Sequence, residues 1–183
     1  MGLSTTDIWT GKAGLPKTIN PGNHELKINN IKLEEFKFID NAYHLILDVE
    51  TKPIEGFEGF FRDKNNESEG RYEGQIGRVK ASQYAFADGQ TKSGVKINRD
   101  RSILIFLQNL SKTLGINDWF LEQDNAHETI EYFVKAFNET APYKDKFLEF
   151  CVAGKEYMSR SGYVNYDLHL PKASNGKYAY GNI

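Results

Sequence analysis

The chain has 183 residues, with 23 Lys and Arg against 25 Asp and Glu, a formal net charge of −2. That length suits one domain with a core of its own, and a 26% charged composition suits a water-facing surface. A single cysteine, Cys151, excludes internal disulfides and thiolate metal clusters. No run approaches a membrane span, and Met1–Asn20 lacks the charged start and apolar core of a secretory leader. The expectation is an intracellular, reducing setting, with Cys151 as a small core residue.

Residues 1–20 show little periodicity and predict a flexible N-terminal arm. Asn20-Pro21-Gly22-Asn23 is turn chemistry that launches a first strand over about His24–Phe38. Its alternation changes phase at Asn29-Asn30, which predicts a bulge or bend there. Asp40-Asn41-Ala42 predicts a hairpin turn into a second strand, Tyr43–Thr51. Leu45, Leu47 and Val49 share one face of it. Pro53 ends that strand, and Phe57–Arg62 predicts a third. The stretch 63–97 predicts a loop and strand insertion, with Val79–Phe86 as a candidate extra strand.

Asn98 or Asp100 caps a first helix running to Leu114, with Ile103, Phe106, Leu107 and Leu110 as its buried stripe. A second helix is expected from about Asp124 to Asn138, carrying Ile130, Phe133, Val134 and Phe137 at helical spacing before Pro142. A fourth strand, Phe147–Glu156, turns at Met158–Gly162 into a fifth, Tyr163–Leu170, and residues 173–183 form a polar tail.

Three strands, a helical block and two more strands match the element order of an OB-fold. The expected fold is mainly β with α insertions: an OB-like five-stranded Greek-key barrel over 21–172, with two helices at 98–139 between strands three and four.

Catalytic patterns are weak. The four histidines (His24, His44, His127, His169) lie far apart with no Cys partners, so no zinc site is expected. The acid-rich run Asp63–Glu69 lacks the glycine and terminal glutamate of a calcium loop. Asp40 or Asp48 followed by Glu50-Thr51-Lys52 has the skeleton of a magnesium nuclease, but such strings arise by chance. There is no Gly-x-Ser-x-Gly and no phosphate-binding glycine loop opening a helix. The expectation is a protein without catalysis, metal or cofactor, and a metal-dependent nuclease stands as the enzymatic alternative.

Charge is uneven. From Phe60 to Arg101 nine cations face six acids, and from Ile116 to Phe150 three lysines face eight acids. A binder of nucleic acid with one working face shows such asymmetry, and solvated surface explains many of the same charges. Single-strand binding needs stacking rings and backbone cations along one groove. In an OB-fold that groove involves strands two and three and the one–two and four–five loops. The candidates are Tyr43, Phe60, Arg62, Arg71, Tyr72, Arg78, Lys80, Lys155, Tyr157, Arg160 and Tyr163. Phe60, Tyr72, Tyr157 and Tyr163 would stack bases. Arg62, Arg71, Arg78, Lys80, Lys155 and Arg160 would hold phosphates. A protein–protein or structural module on the same barrel is the alternative from another class.

Four runs carry a resemblance. They are Asn20-Pro21-Gly22-Asn23-His24, Tyr43-His44-Leu45-Ile46-Leu47, Glu73–Lys80, and Gly154-Lys155-Glu156-Tyr157 with Gly162–Leu168. Over about Gly14–Lys172 the chain resembles the single-stranded DNA-binding proteins of crAss-like phages of gut Bacteroides. The resemblance implies phage DNA replication or recombination in the cytoplasm of a bacterial host, with single-stranded DNA as partner and no membrane. Phage or host replication proteins and self-association stay open. The ending Lys172–Ile183 carries no acid, unlike the acidic recruiting tails of many single-strand binders.

Overall fold

The alternating strand Tyr43–Thr51 becomes the spine of the sheet. The computed structural model describes residues 18–55, 74–116, 130–172 and 180–182. Among the described residues the protein is mainly β, with a mixed sheet and two helices. In chain order the elements are β1 (Gly22–Glu35), β2 (Tyr43–Thr51), β3 (Ile76–Lys80), β4 (Gly89–Gln90) and β5 (Lys96–Ile97). The helices α1 (Arg99–Thr113) and α2 (Ile130–Thr140) follow, then β6 (Phe147–Met158), β7 (Val164–His169) and β8 (Tyr180–Asn182).

β2 pairs antiparallel with β1 on one side and β3 on the other. The register of β1 shifts between Ile28 and Asn30, at the bulge expected from the phase change. β1 therefore bends, and its first half, Gly22–Lys27, pairs antiparallel with Phe147–Val152 of β6. β6 and β7 form a hairpin with Met158 opposite Val164 and Ala153 opposite His169. β7 meets β3 in parallel at one register pair, Lys80 and His169. The Leu170 amide donates to the Lys80 carbonyl at 2.9 Å at the same seam. The pairing order is thus β1-β2-β3-β7-β6, with β6 also on β1 and β8 along Leu148–Phe150. β4 and β5 make a separate two-stranded hairpin.

The strand beside β2 is Ile76–Lys80, inside the segment expected as an insertion. The expected third strand, Phe57–Arg62, lies outside the described residues. Gly77 lets Ile19 lie against β3, because a Cβ there would stand 2.6 Å from the Ile19 Cδ1. Ile19, expected in a loose arm, is buried, and its amide donates to the Ile76 carbonyl at 3.0 Å.

The core gathers the inward phase of the strands (Leu26, Leu45, Leu47, Val49, Val79, Phe150) and the stripes of both helices. Ile103, Phe106, Leu107 and Leu110 of α1 are all fully buried, as their spacing predicts. Truncating a core Phe such as Phe106 or Phe137 costs about 3–5 kcal/mol in general. Asn98 caps α1 by accepting from the Arg101 amide at 2.8 Å, and Gly115, at φ 76°, follows its end. α2 ends at Thr140, ahead of Pro142, and its expected start near Asp124 lies outside the described residues.

Cys151 is exposed, against expectation. It alternates with Phe150 and Val152, which fill the core, so the pleat turns its thiol outward. No helix among the described residues is long and apolar enough to cross a membrane.

Candidate nucleic-acid interface

The β6–β7 hairpin projects an exposed aromatic and apolar tip. Tyr157 is 52% exposed and Tyr163 73%, and Met158 and Val164 beside them are also exposed. The turn is built locally. The Ser159 amide donates to the Tyr163 carbonyl at 2.8 Å, and the Ser159 Oγ accepts from the Tyr163 amide at 3.0 Å. Gly162 supplies the positive φ of 80° that a side chain resists. Lys155 and Tyr157 share one side-chain phase, opposite to Phe150 and Val152, and face Asp167 and Asn165 in register. Lys155 and Arg160 are exposed and have no carboxylate partner among the described residues. The hairpin therefore joins exposed rings to two cations that have no carboxylate partner among the described residues.

The outward side of β1, β2 and β3 differs. Lys32 pairs with Asp48 at 2.7 Å, Arg78 with Glu34 at 2.7 Å, and Lys80 with Asp167 at 2.7 Å. Lys27 reaches Glu50 at 3.3 Å. Each cation meets a carboxylate on another strand, Arg78 reaching across β2 to Glu34 on β1, so this stretch is a ladder of ion pairs with no local excess of charge. The partly exposed pairs Lys32–Asp48, Arg78–Glu34 and Lys80–Asp167 are each worth about 0–1 kcal/mol, so an incoming phosphate competes for them at modest cost, whereas Glu50 is buried. Ile46 sits in the middle, between Lys32 and Lys80 in register, and is fully buried outside the main core. His44 is buried beside it and its ring packs edge-on to Phe36 at 5.2 Å. Burial, then the charge of Lys80, lowers the His44 pKa below its ordinary 6.5.

Of the residues singled out by sequence, Lys155, Tyr157, Arg160 and Tyr163 come together on the hairpin. Arg78 and Lys80 lie on the outward side of β3, engaged in ion pairs. Tyr43 is half-buried at the start of β2, in phase with the inward Leu45. Its ring carries the Arg99 guanidinium at 4.7 Å, and its backbone bridges to Phe86. Arg99 in turn donates to the Asn41 carbonyl at 2.9 Å and to Asp100, so Tyr43 ties the β1–β2 turn to α1. Phe60, Arg62, Arg71 and Tyr72 lie outside the described residues.

The acid-x-Lys string is engaged in structure. Glu50 is buried; its carboxylate accepts from the Asn29 amide nitrogen at 3.0 Å and from the Gly74 backbone at 3.2 Å. Lys52 pairs with Glu25 and its ammonium lies 5.7 Å from the Phe147 ring centroid.

Three exposed aromatics among the described residues, Phe38, Tyr84 and Tyr132, lie outside the candidates read from sequence. Phe38 is 87% exposed in the β1–β2 turn, with its ring edge-on to Phe36 at 5.5 Å. The alternation extends the first strand to Phe38, but β1 ends at Glu35. Two large apolar residues, Phe38 and Ile39, directly before the turn Asp40-Asn41 are the available signal. Tyr84 is 75% exposed in the segment after β3, where no periodicity marks it.

No protein-family model matches the chain, and no match to it is found among the curated proteins or the solved structures.

Proposed function

We propose that the protein binds single-stranded DNA with little sequence preference and without catalysis. In this reading β1, β2, β3, β7 and β6 form an OB-type barrel, and the β6–β7 hairpin is its main gripping element. Support for the barrel comes from the pairing order, from the parallel contact of β3 with β7, and from the helices lying between β3 and β6. The observation that carries the function is the hairpin. Two exposed tyrosines stand beside Lys155 and Arg160, cations with no carboxylate partner among the described residues. Tyr157 and Tyr163 stack bases, Lys155 and Arg160 hold phosphates, and Arg78 and Lys80 flank the strand by exchanging carboxylate for phosphate. The resemblance in sequence to crAss-like phage single-strand binders adds phage replication or recombination in a bacterial host as the setting.

The test is titration of a fluorescent oligo-dT with the full chain at several salt concentrations. Binding should weaken with a log–log slope of about −0.7 per phosphate neutralised. Tyr157→Ala and Tyr163→Ala should each cost about 1–3 kcal/mol if their rings stack bases. The ion-paired ladder on β1, β2 and β3 favours one rival, a protein–protein module, since a neutral surface draws no phosphate backbone. Absence of oligonucleotide binding at low salt would select that rival.

A further inference from the structure

A concavity lies at the far end of β7 from the hairpin tip. It is a cleft of about 780 Å³ between the segment that leaves β3, the start of α1 and the end of β7. That volume is in the range of ligand sites, roughly 300–1,000 Å³. Tyr84, Phe86, Ile97, Ile105, His169 and Lys172 line it. Tyr84, Ile97 and Ile105 are exposed although large and apolar, so the cleft offers unfilled apolar surface beside an aromatic ring.

The lining carries one acid and one lysine: Asp88, whose carboxylate accepts from the Arg99 backbone amide at 2.8 Å, and Lys172. Lys172 has no carboxylate partner among the described residues. His169, which lines the cleft, shares one face of β7 with Asp167 and Asn165, the residues opposite Lys155 and Tyr157, so that face runs from the cleft toward the hairpin.

We infer that this cleft receives bases of the same single strand beyond those held by the hairpin, with Tyr84 as a stacking platform and Lys172 on the phosphates. The inference rests on the single-strand reading above and extends its path along β7.

Two measurements test it on the full chain. The first compares wild type with Tyr84→Ala on oligo-dT of graded length, from roughly 4 to 16 nucleotides, the span of OB site sizes. The exposed position of Tyr84 makes loss of fold unexpected, and circular dichroism checks this. The variant should lose about 5- to 150-fold in affinity on the longest strand and little on the shortest, which the hairpin accommodates. The second is photocrosslinking with strands containing 5-iodouracil, read by peptide mass spectrometry. A crosslink at Tyr84 on long strands is expected. If Tyr84→Ala matches wild type at every length and no crosslink forms between 82 and 90, the cleft inference fails while the hairpin reading stands. An equal loss at every length overturns the cleft as a continuation of the path. If wild type binds no oligonucleotide of any length, both readings fall together.

Discussion

The side-chain amide of Asn138 stands in for a missing strand beside Ile31. Its Oδ1 accepts from the Ile31 amide at 3.0 Å and its Nδ2 donates to the Ile31 carbonyl at 2.6 Å. β1 needs this because β6 accompanies it only as far as Lys27. Beyond that point the backbone groups of Ile31 turn away from β2 toward α2, and a buried unpaired pair is costly. The Tyr143 hydroxyl completes the arrangement by donating to the same Oδ1 at 2.6 Å.

Asn138→Ala should therefore destabilise the protein by about 2–3 kcal/mol, since the Ile31 groups and the Tyr143 hydroxyl lose their partner together. Urea denaturation checks it. A loss below about 0.5 kcal/mol, the low end for a single hydrogen bond, would mean that water replaces the amide.

Tyr143 should be the slow tyrosine in an alkaline titration. Burial, with the nearby charge of Asp48 in second place, pushes its pKa up from 10.0 to about 12. The sign follows from the phenolate being the disfavoured form in the folded state. Below pH 10 both states are neutral at this site and its contribution is fully present. Between pH 10 and about 12 the unfolded chain ionises first, so stability falls as pH rises. Denaturation series at pH 8.5 and 10.5 should show a drop that Tyr143→Phe reduces.

His44 sets an opposite slope on the acid side. Its pKa is lowered mainly by burial and then by Lys80. Well above pH 6.5 the ring is neutral in both states and adds no slope. Below 6.5 the unfolded chain takes up the proton first, so stability falls as pH falls. Comparing pH 7.5 with pH 5.5 should show the loss, and His44→Gln should shrink it. An unchanged slope in that variant would place the acid sensitivity elsewhere.

Glu50 should matter for stability rather than for chemistry. Removing its carboxylate leaves the Lys27 ammonium, the Asn29 amide and the Gly74 N–H short of an acceptor. Glu50→Ala should cost about 3 kcal/mol, the scale of breaking a buried pair from one side, and Glu50→Gln less. Magnesium-dependent cleavage of an oligonucleotide, lost in a folded Glu50→Gln variant, would reverse this assignment.

Much of the fold was legible because the strands and helices carry clean periods. The bulge near Asn29, the alternation of β2, the α1 stripe and the β6–β7 hairpin all appear close to where the pattern puts them. β3 was hidden because only Val79 of its five residues is fully buried, and its glycine and cations resemble a loop. Cys151 misled because the run Phe147–Val152 looks uniformly apolar until Glu149 and Cys151 are assigned to the outer phase. The hairpin residues of the candidate interface were readable from period two and a turn. What the sequence could not show was the neutralising partners of the β3 cations. Lys80 and Asp167 are 87 positions apart, a proximity that only the strand order creates.

The seam between β3 and β7 has a consequence for biosynthesis. One register pair and the Leu170–Lys80 hydrogen bond join two strands from distant parts of the chain. A nascent polypeptide emerging from the ribosome reaches Lys80 long before His169, so the outer edge of β3 waits uncovered while both helices are made. Late, long-range pairing of this kind is slow, and an unpaired edge invites association with other chains. A fragment truncated before Val164 should accordingly accumulate as insoluble material in a cell.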